Sequence, residues 1–250
     1  KRIFEKPKIE YALRCLNSLI KSIKKVKEQK PDTLIKFQVI DDNSNDESLK
    51  KLKDLIKSNS MDCEIIHHNN SEHKEKIAAE NNQETFGNLS SLLKCFEIAK
   101  KEQSDLIYFV EDDYLHYDHS LVDMLDTYER ISSQHKDEII VCPSDYPFNY
   151  MTNEKTNILI GSQQHWRIIT KMLCTFMISK KMFQKHIYNF EKTCEKRHDP
   201  FEKYLNEILQ KEIAISPIKS LAIHLTNVNS SYGLSPFIDY KKLWDENKVK

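Results

Sequence analysis

Three consecutive acidic residues, Glu111, Asp112 and Asp113, directly follow the apolar run Leu106–Val110. The run has the length of a strand and is rich in β-branched and aromatic residues, so the acids are predicted to lie where a strand ends. Carboxylates this close repel one another, by about 1 kcal/mol at 4 Å in water. A divalent cation relieves that repulsion, and Mg²⁺ and Mn²⁺ prefer oxygen ligands. The segment therefore predicts a metal site, although a solvated acidic turn would have the same composition.

A second acidic segment follows the strand predicted at 35–40. It runs from Asp41 to Asp46 and reads Asp-Asp-Asn-Ser-Asn-Asp; we call it the first acidic turn. Asx and Ser side chains bond nearby backbone amides, so on its own the turn could simply cap the helix that starts near Glu47. In an open α/β sheet, however, ligands bind outside the carboxyl ends of the strands. Two strands that end in acids, with two helical patterns between them, favour a shared binding site.

The order, spacing and strand context of these two motifs resemble the nucleotide-sugar-binding half of the GT-A glycosyltransferases, especially those of family 2. The resemblance extends over about residues 8–225. In that family the first acidic turn holds the nucleobase and ribose of the sugar donor. The resemblance therefore implies that Asp41, Asp42 and Ser44 bind the nucleotide sugar.

The same resemblance implies a metal site. Glu111-Asp112-Asp113 matches the DxD motif of the family, whose last acid binds the metal that bridges the donor's diphosphate. Asp113 is thus expected to bind Mn²⁺ or Mg²⁺, with Glu111 and Asp112 at the nucleotide sugar and Asp112 on ribose or metal-bound water. GT-A enzymes often complete the metal shell with a histidine near the end of the domain, which implies His224. A neutral imidazole suits Mn²⁺, although a single histidine after a strand is usually structural.

An inverting glycosyl transfer requires a base that takes the proton of the acceptor hydroxyl as it attacks the anomeric carbon. In the family this base is a carboxylate on a loop before a helix, well beyond the metal-binding acid. Asp199, in the segment Lys196–Phe201, matches that position, and Glu202 is the next candidate. Pro200 suits the first position of a helix predicted over 200–211, so Asp199 could also be its N-cap. The two roles are compatible.

The segment Gln163–Arg167 superficially resembles the Gln-x-x-Arg-Trp motif of processive polysaccharide synthases. Its order is Trp-Arg, and it precedes the expected base, whereas the family motif follows it. We therefore expect a non-processive enzyme. Trp166 and Arg167 are weak candidates for contacts with the acceptor, as is Glu202, and core packing is an equally good interpretation of Trp166.

The composition excludes several other classes of protein. The 250 residues carry 38 basic and 38 acidic side chains, so no global basic field indicates nucleic-acid binding. Only three glycines occur, which excludes a Gly-x-Gly-x-x-Gly or Walker loop. The six scattered cysteines are typical of reduced thiols in a cytoplasmic protein. No apolar run is long enough to span a membrane. The lysine-rich stretch Lys21–Lys30 could contact an anionic membrane peripherally, although such a stretch is more often the solvated face of a helix.

Strand and helix patterns alternate through residue 110, which predicts one α/β domain of the GT-A type with a mixed, mostly parallel central sheet flanked by helices. We expect a donor-binding half over 8–120, an acceptor half over 121–225 and a C-terminal arm over 226–250. The family usually opens with an apolar strand. That strand is expected to have been trimmed or to survive only as Arg2–Glu5.

The resulting hypothesis is a metal-dependent, inverting glycosyltransferase. It would move a sugar from a nucleotide-diphosphate donor to a saccharide or lipid-linked acceptor, in surface polysaccharide synthesis. A sugar nucleotidyltransferase of related fold is the nearest alternative, and an inactive carbohydrate-binding scaffold is another.

Overall fold

The computed structural model describes residues 3–77, 82–151, 153–226, 229–234 and 238–249. The predicted alternation of strands and helices is confirmed through the strand Leu106–Phe109. Asparagine side chains begin two of the helices: Asn45 accepts from the Ser48 N–H, and Asn82 accepts from the Thr85 N–H. The elements of this half are α1 (Lys8–Gln29), β1 (Phe37–Asp41), α2 (Asp46–Ser58), β2 (Cys63–His67), a 3₁₀ turn (Asn70–His73), α3 (Gln83–Lys101) and β3 (Leu106–Phe109).

The second half has shorter and less regular elements, as its weaker sequence pattern indicates. They are β4 (Tyr114–His116), α4 (Ser120–His135), β5 (Ile139–Val141), α5 (Phe148–Met151), β6 (Ile158–Ile160), β7 (His165–Ile169), β8 (Phe176–Ser179), α6 (Lys180–Lys185), α7 (Ile187–Thr193), α8 (Lys203–Ile208), β9 (Ile213–Pro217), β10 (Ala222–His224) and α9 (Tyr240–Glu246).

Three groups of paired strands make up the described sheet structure. A six-stranded sheet has the order β3-β8-β5-β9-β7-β6, while β1 pairs with β2 and β4 pairs with β10. Because β3 pairs with β8, the expected donor and acceptor halves share one sheet. The α/β class and the mixed sheet flanked by helices are confirmed.

Parallel pairing is less frequent than expected. In the six-stranded sheet only the β5–β9 ladder is parallel among the described strands. The physical reason lies in the connections and in one inserted strand. The hairpin over 161–164 is too short for the crossover that a parallel pair of β6 and β7 would need. β8 lies between β3 and β5 and runs against both of them.

The helix α1 is held against the elements that lead to the candidate site. Its apolar side packs Leu19, Ile23 and Val26 into the core that covers one face of the sheet. Ser18 accepts a hydrogen bond from the His116 N–H at 2.9 Å, and Ser22 accepts one from the Leu121 N–H at 2.9 Å. Two buried hydroxyls thus fix α1 to β4 and to the start of α4.

Trp166 belongs to that core, which favours the core-packing interpretation over a contact with the acceptor. The side chain is 0% exposed and packs among the buried apolar residues on the α1–α4 side. A Cβ atom added at Gly161 would lie 2.2 Å from the indole Nε1, so glycine is needed there for the ring to fit. The ring has no free face on which a sugar could stack.

The C-terminal arm packs on α1. Trp244 of α9 stacks on Phe4 with 4.3 Å between ring centroids, and the Arg14 guanidinium lies 4.3 Å from the Trp244 ring. Arg14 also donates to the Trp244 carbonyl at 2.6 Å. Among the described residues of the arm, α9 therefore braces the start of α1. The turn at Ser230–Gly233 lies at the candidate site instead.

Candidate active site

The short ladder between β4 and β10 brings Asp113 and His224 together. Tyr114 is opposite His224 in this antiparallel pair, and the Leu225 N–H donates to the Asp113 carbonyl at 2.9 Å. As a result the His224 Nε2 lies 3.2 Å from the Asp113 Oδ2. These two residues are far apart in the chain, and the pairing of two three-residue strands is what joins them.

The imidazole of His224 is oriented by its surroundings. Its Nδ1 donates to the Tyr232 carbonyl at 3.0 Å, and its ring stacks on Tyr114 with 4.9 Å between centroids. Burial lowers the pKa of His224, but the Asp113 and Glu111 carboxylates and the Tyr232 carbonyl outweigh it, so the pKa is raised. A backbone carbonyl on Nδ1 fixes the tautomer whose Nε2 can bind a metal, as is usual for metal-ligating histidines.

Asp113 and His224 fit a divalent cation. Two neighbouring ligands of an octahedral ion, each about 2.1 Å from it, lie about 3 Å apart, close to the observed 3.2 Å between their ligating atoms. No group of three His, Cys, Asp or Glu side chains in the described part of the chain is arranged to hold a metal. The pair would therefore supply two ligands and leave other positions for a bound molecule.

Glu111 lies beside this pair and is held by Thr175. The Glu111 N–H donates to the Thr175 hydroxyl at 3.0 Å, and the hydroxyl donates to the Glu111 Oε2 at 3.2 Å. Burial of its carboxyl group raises the pKa of Glu111 to about 8, and the Asp113 charge adds to this shift while the His224 charge opposes it, although the residue as a whole retains access to solvent. Asp112 points elsewhere and meets the Lys8 ammonium at 3.4 Å, both side chains being mostly exposed.

Glu202 completes what we call the strand-end cluster: Glu111, Asp113, Glu202 and His224. Burial raises the pKa of Glu202, and the nearby His224 charge opposes that shift. The Glu202 charge in turn raises the pKa of Glu111. Glu202 therefore lies within electrostatic reach of both residues.

Asp199 lies further out. The helix α8 begins at Lys203 with Glu202 at its N-cap position, so the interpretation of Asp199 as the N-cap is wrong. The Lys203 N–H bonds the Pro200 carbonyl in a turn that precedes the helix, which starts later than Pro200 indicates. Asp199 is exposed and lines an open cavity of about 380 Å³ with Arg197, His198 and Phe201. No contact joins it to the strand-end cluster within the described residues, and its role as base stays a prediction.

In the first acidic turn the two leading acids have different surroundings. Asp41 is 5% exposed; its Oδ1 accepts from the Ser44 N–H at 3.3 Å, and its Oδ2 lies 3.1 Å from the His67 Nδ1. Asp42 is exposed, and among the described residues its carboxylate receives only a weak hydrogen bond from the Asn43 amide, at 3.3 Å. Asp41 thus shapes the turn, while Asp42 has acceptor capacity left for a ligand. Ser44 contributes its backbone to the turn.

Gly87 of α3 is a site residue that sequence reasoning missed. A Cβ atom added there would lie 3.2 Å from the Asp42 Oδ2 and 3.6 Å from the Asn70 Nδ2. The missing side chain lets α3 approach the first acidic turn. The available signal was a single glycine inside a helical pattern, where it costs stability and so indicates a close approach.

Arg167 does not contact the strand-end cluster within the described residues, because its guanidinium binds other side chains of the protein. It is 8% exposed, donates to the Tyr150 hydroxyl at 2.7 Å and lies 3.7 Å from the Asp145 Oδ1. In this arrangement Tyr150 covers the charged group, and contact of Arg167 with an acceptor stays a prediction.

Acidic residues follow the carboxyl ends of β1 and β3 in a mixed α/β fold, and ligands of open α/β sheets bind outside the carboxyl ends of strands. The chain belongs to glycosyl transferase family 2, since the model of that family matches residues 9–187. The match includes the first acidic turn and Glu111–Asp113 and ends before Glu202 and His224. A comparison with curated proteins finds no match. Across the described residues, no helix is long and apolar enough to cross a membrane.

Proposed function

We propose that the protein is a metal-dependent, inverting and non-processive glycosyltransferase that moves a sugar from a nucleotide-diphosphate donor to a saccharide or lipid-linked acceptor. Membership of the family supports glycosyl transfer. The observation that carries the rest is the approach of His224 Nε2 to Asp113 Oδ2 at 3.2 Å, beside Glu111 and Glu202. Asp113 and His224 are residue types that bind metals, and they lie near a carboxylate, Glu202, that can act as a base.

Asp113 and His224 would hold Mn²⁺ or Mg²⁺, which when bound supplies positive charge for the leaving diphosphate. Glu111 stays hydrogen-bonded to Thr175 beside this pair. Asp42 accepts hydrogen bonds from the nucleotide, while Asp41 keeps the turn in shape. Asp112, balanced by Lys8, faces solvent and is available to the ribose.

We infer that Glu202 acts as the base in preference to Asp199, because Glu202 is half-buried at the start of α8 and burial raises its pKa, while Asp199 is exposed. The acceptor oxygen attacks the anomeric carbon and transfers its proton to the Glu202 carboxylate as the bond to the diphosphate oxygen breaks. A raised pKa makes Glu202 a stronger base than an exposed carboxylate would be. Asp199 remains the alternative from the family pattern.

Peripheral membrane contact through α1 receives little support, since three lysines in this helix or directly after it have partners in the protein. Lys21 donates to the Glu246 carbonyl at 2.7 Å, Lys24 donates to Asn59 at 2.7 Å, and Lys30 meets Asp126 at 2.6 Å.

The experiment is incubation of the protein with UDP- and GDP-sugars and Mn²⁺, with release of free nucleoside diphosphate as the readout. We expect slow hydrolysis that a chelator abolishes and added Mn²⁺ restores. Asp113→Asn should lower the release by orders of magnitude at saturating Mn²⁺, whereas Asp118→Asn, which changes an exposed acid outside the cluster, should not.

Other results would contradict the proposal in different ways. Full activity of Asp113→Asn would exclude this residue as a metal ligand. Formation of a nucleotide sugar from a sugar phosphate and nucleoside triphosphate, with pyrophosphate released, would identify a nucleotidyltransferase. The absence of any nucleotide-sugar binding would leave only the inactive scaffold.

A further inference from the structure

The turn at Ser230–Gly233 is held against α5 by aromatic rings. The Tyr232 ring stacks on Phe148 with 5.5 Å between centroids and an angle of 8° between the ring planes. Tyr146 meets the same ring edge-on, also with 5.5 Å between centroids. We call Tyr146, Phe148 and Tyr232 the aromatic clamp. It ties a turn of the C-terminal arm to a segment that lies more than 80 residues earlier in the chain.

The clamp contacts His224 by two routes. The Tyr232 carbonyl accepts from the His224 Nδ1 at 3.0 Å. The Tyr146 hydroxyl shares a hydrogen bond with the Tyr114 hydroxyl, and the Tyr114 ring stacks on the imidazole with 4.9 Å between centroids. Tyr114 and Tyr146 are 0% and 3% exposed, so core packing fixes both rings. His224, Tyr114, Tyr146 and Tyr232 therefore form a closed ring of contacts in which the imidazole cannot tilt alone.

The turn itself is the least supported part of this ring. Inside it, the Gly233 N–H donates to the Ser230 carbonyl at 3.0 Å, and the Tyr232 N–H donates to the Ser230 hydroxyl at 3.2 Å. These bonds shape the turn but do not attach it to the rest of the protein. The described attachments of the turn are the stacked Tyr232 ring, the bond to His224, and the bond from the Phe148 N–H to the Ser231 carbonyl at 2.7 Å.

The helix α5, which carries Phe148, is anchored to the sheet in turn. The Tyr150 hydroxyl donates to the Asp145 carboxylate and accepts from the Arg167 guanidinium, the latter at 2.7 Å. Arg167 lies in β7 and is 8% exposed. Phe148 is therefore a fixed surface against which the Tyr232 ring packs.

We propose that Tyr232 is a positioning residue for the metal ligand His224, its ring held by the aromatic clamp and its carbonyl bound to the imidazole. The inference rests on the proposed function, which assigns His224 to the metal shell. Removing the partner that orients a metal-binding histidine typically costs about 10- to 100-fold in metal affinity. A substitution at Tyr232 leaves the backbone carbonyl in the chain, so its effect on metal binding reports on the ring that holds the carbonyl in place.

The test is titration of the whole protein with Mn²⁺ alone, followed by the electron paramagnetic resonance signal of the free ion. Tyr232→Ala removes the ring from the clamp, and its dissociation constant for Mn²⁺ should rise by about 10-fold or more. Tyr232→Phe keeps the ring and should bind Mn²⁺ like the wild type. Phe148→Leu alters the other side of the stack and should weaken Mn²⁺ binding in the same direction.

Two controls separate positioning from a loss of stability. Phe37→Leu changes another half-buried aromatic side chain, at the end of β1 away from the first acidic turn, and should keep the Mn²⁺ affinity of the wild type. In a His224→Ala background, Tyr232→Ala should change Mn²⁺ affinity no further, because the clamp acts through the imidazole. A purely structural role would lower the melting temperature and leave the Mn²⁺ affinity of the folded variant unchanged.

The outcomes distinguish this inference from the proposed function. Wild-type Mn²⁺ affinity in folded Tyr232→Ala, or an equal further loss in the His224→Ala background, would overturn the positioning role. If Asp113→Asn still lost Mn²⁺ affinity in that case, the metal site of the proposed function would stand. If the wild-type protein bound Mn²⁺ no better than Asp113→Asn does, both proposals would fail.

Discussion

Replacing Gly87 by alanine should raise stability and lower nucleotide affinity, two effects with separate causes. Glycine inside a helix is about 1 kcal/mol less favourable than alanine, and α3 would gain up to that amount. The new Cβ would lie 3.2 Å from the Asp42 Oδ2, closer than ordinary contact. Because Asp42 is exposed, its carboxylate can move by the few tenths of an ångström required. The net change in the free energy of unfolding should therefore lie between 0 and about +1 kcal/mol.

Thermal unfolding and calorimetry measure the two effects. A gain of 1 kcal/mol raises the melting temperature of a domain of this size by about 2–4 °C. A shift of this size lengthens the contact between the Asp42 carboxylate and the nucleotide, and affinity for nucleoside diphosphate should fall by up to about tenfold, the value of one hydrogen bond to a charged group.

Gly161→Ala is the matched control, since the same change there should destabilise the protein. The added Cβ would lie 2.2 Å from the buried indole of Trp166, which has no room to move. Overpacking of this kind costs about 1–3 kcal/mol. The reasoning would be refuted if Gly87→Ala kept wild-type affinity for every nucleotide, or if it lost stability as Gly161→Ala does.

Two further predictions concern the base and a buried histidine. Glu202→Gln should lower the transfer rate about 10²–10⁴-fold while nucleotide affinity is retained. In the same steady-state assay Asp199→Asn should have a rate near that of the wild type. A large loss in Asp199→Asn and none in Glu202→Gln would identify Asp199 as the base. His116 is buried between the Tyr108 hydroxyl and the Tyr114 carbonyl, and burial lowers its pKa to about 4. Its contribution to stability is complete above the unfolded-state pKa of about 6.5 and is lost as the pH falls towards 4, by up to about 1.4 kcal/mol per pH unit. Urea unfolding of His116→Gln should show a shallower pH dependence over that range, and an unchanged slope would contradict the assignment.

Local patterns predicted the acidic motifs well because each depends on neighbours in the chain. The apolar run from Leu106 ends in a strand at Phe109, and the three acids follow within the next four residues. The first acidic turn lies at the end of β1 for the same reason. The strand order could not be predicted in this way, because β8 is inserted between β3 and β5 from a distant part of the chain.

The less successful predictions each rested on a single local pattern in the sequence. Such a pattern does not determine the tertiary contacts of a residue. Pro200 favours the first turn of a helix, but the helix starts at Lys203. Trp166 and Arg167 lie on opposite sides of a strand that is covered on both faces, so alternation along the strand does not show which side chain reaches solvent. The partners that fix each of them, Gly161 and Tyr150, became visible only in the structure.

The repeated acids in both motifs are explained by a division of roles. In the first acidic turn Asp41 holds the backbone amide of Ser44 and leaves Asp42 exposed. In the second motif Glu111 is tied to Thr175, while Asp113 faces the His224 imidazole. A carboxylate that must receive a ligand cannot also satisfy the turn that presents it, since its acceptor capacity would already be used. A pair of acids at each strand end meets both requirements. The repeated acids can therefore be recognised in the sequence, whereas the role of each acid depends on its tertiary contacts.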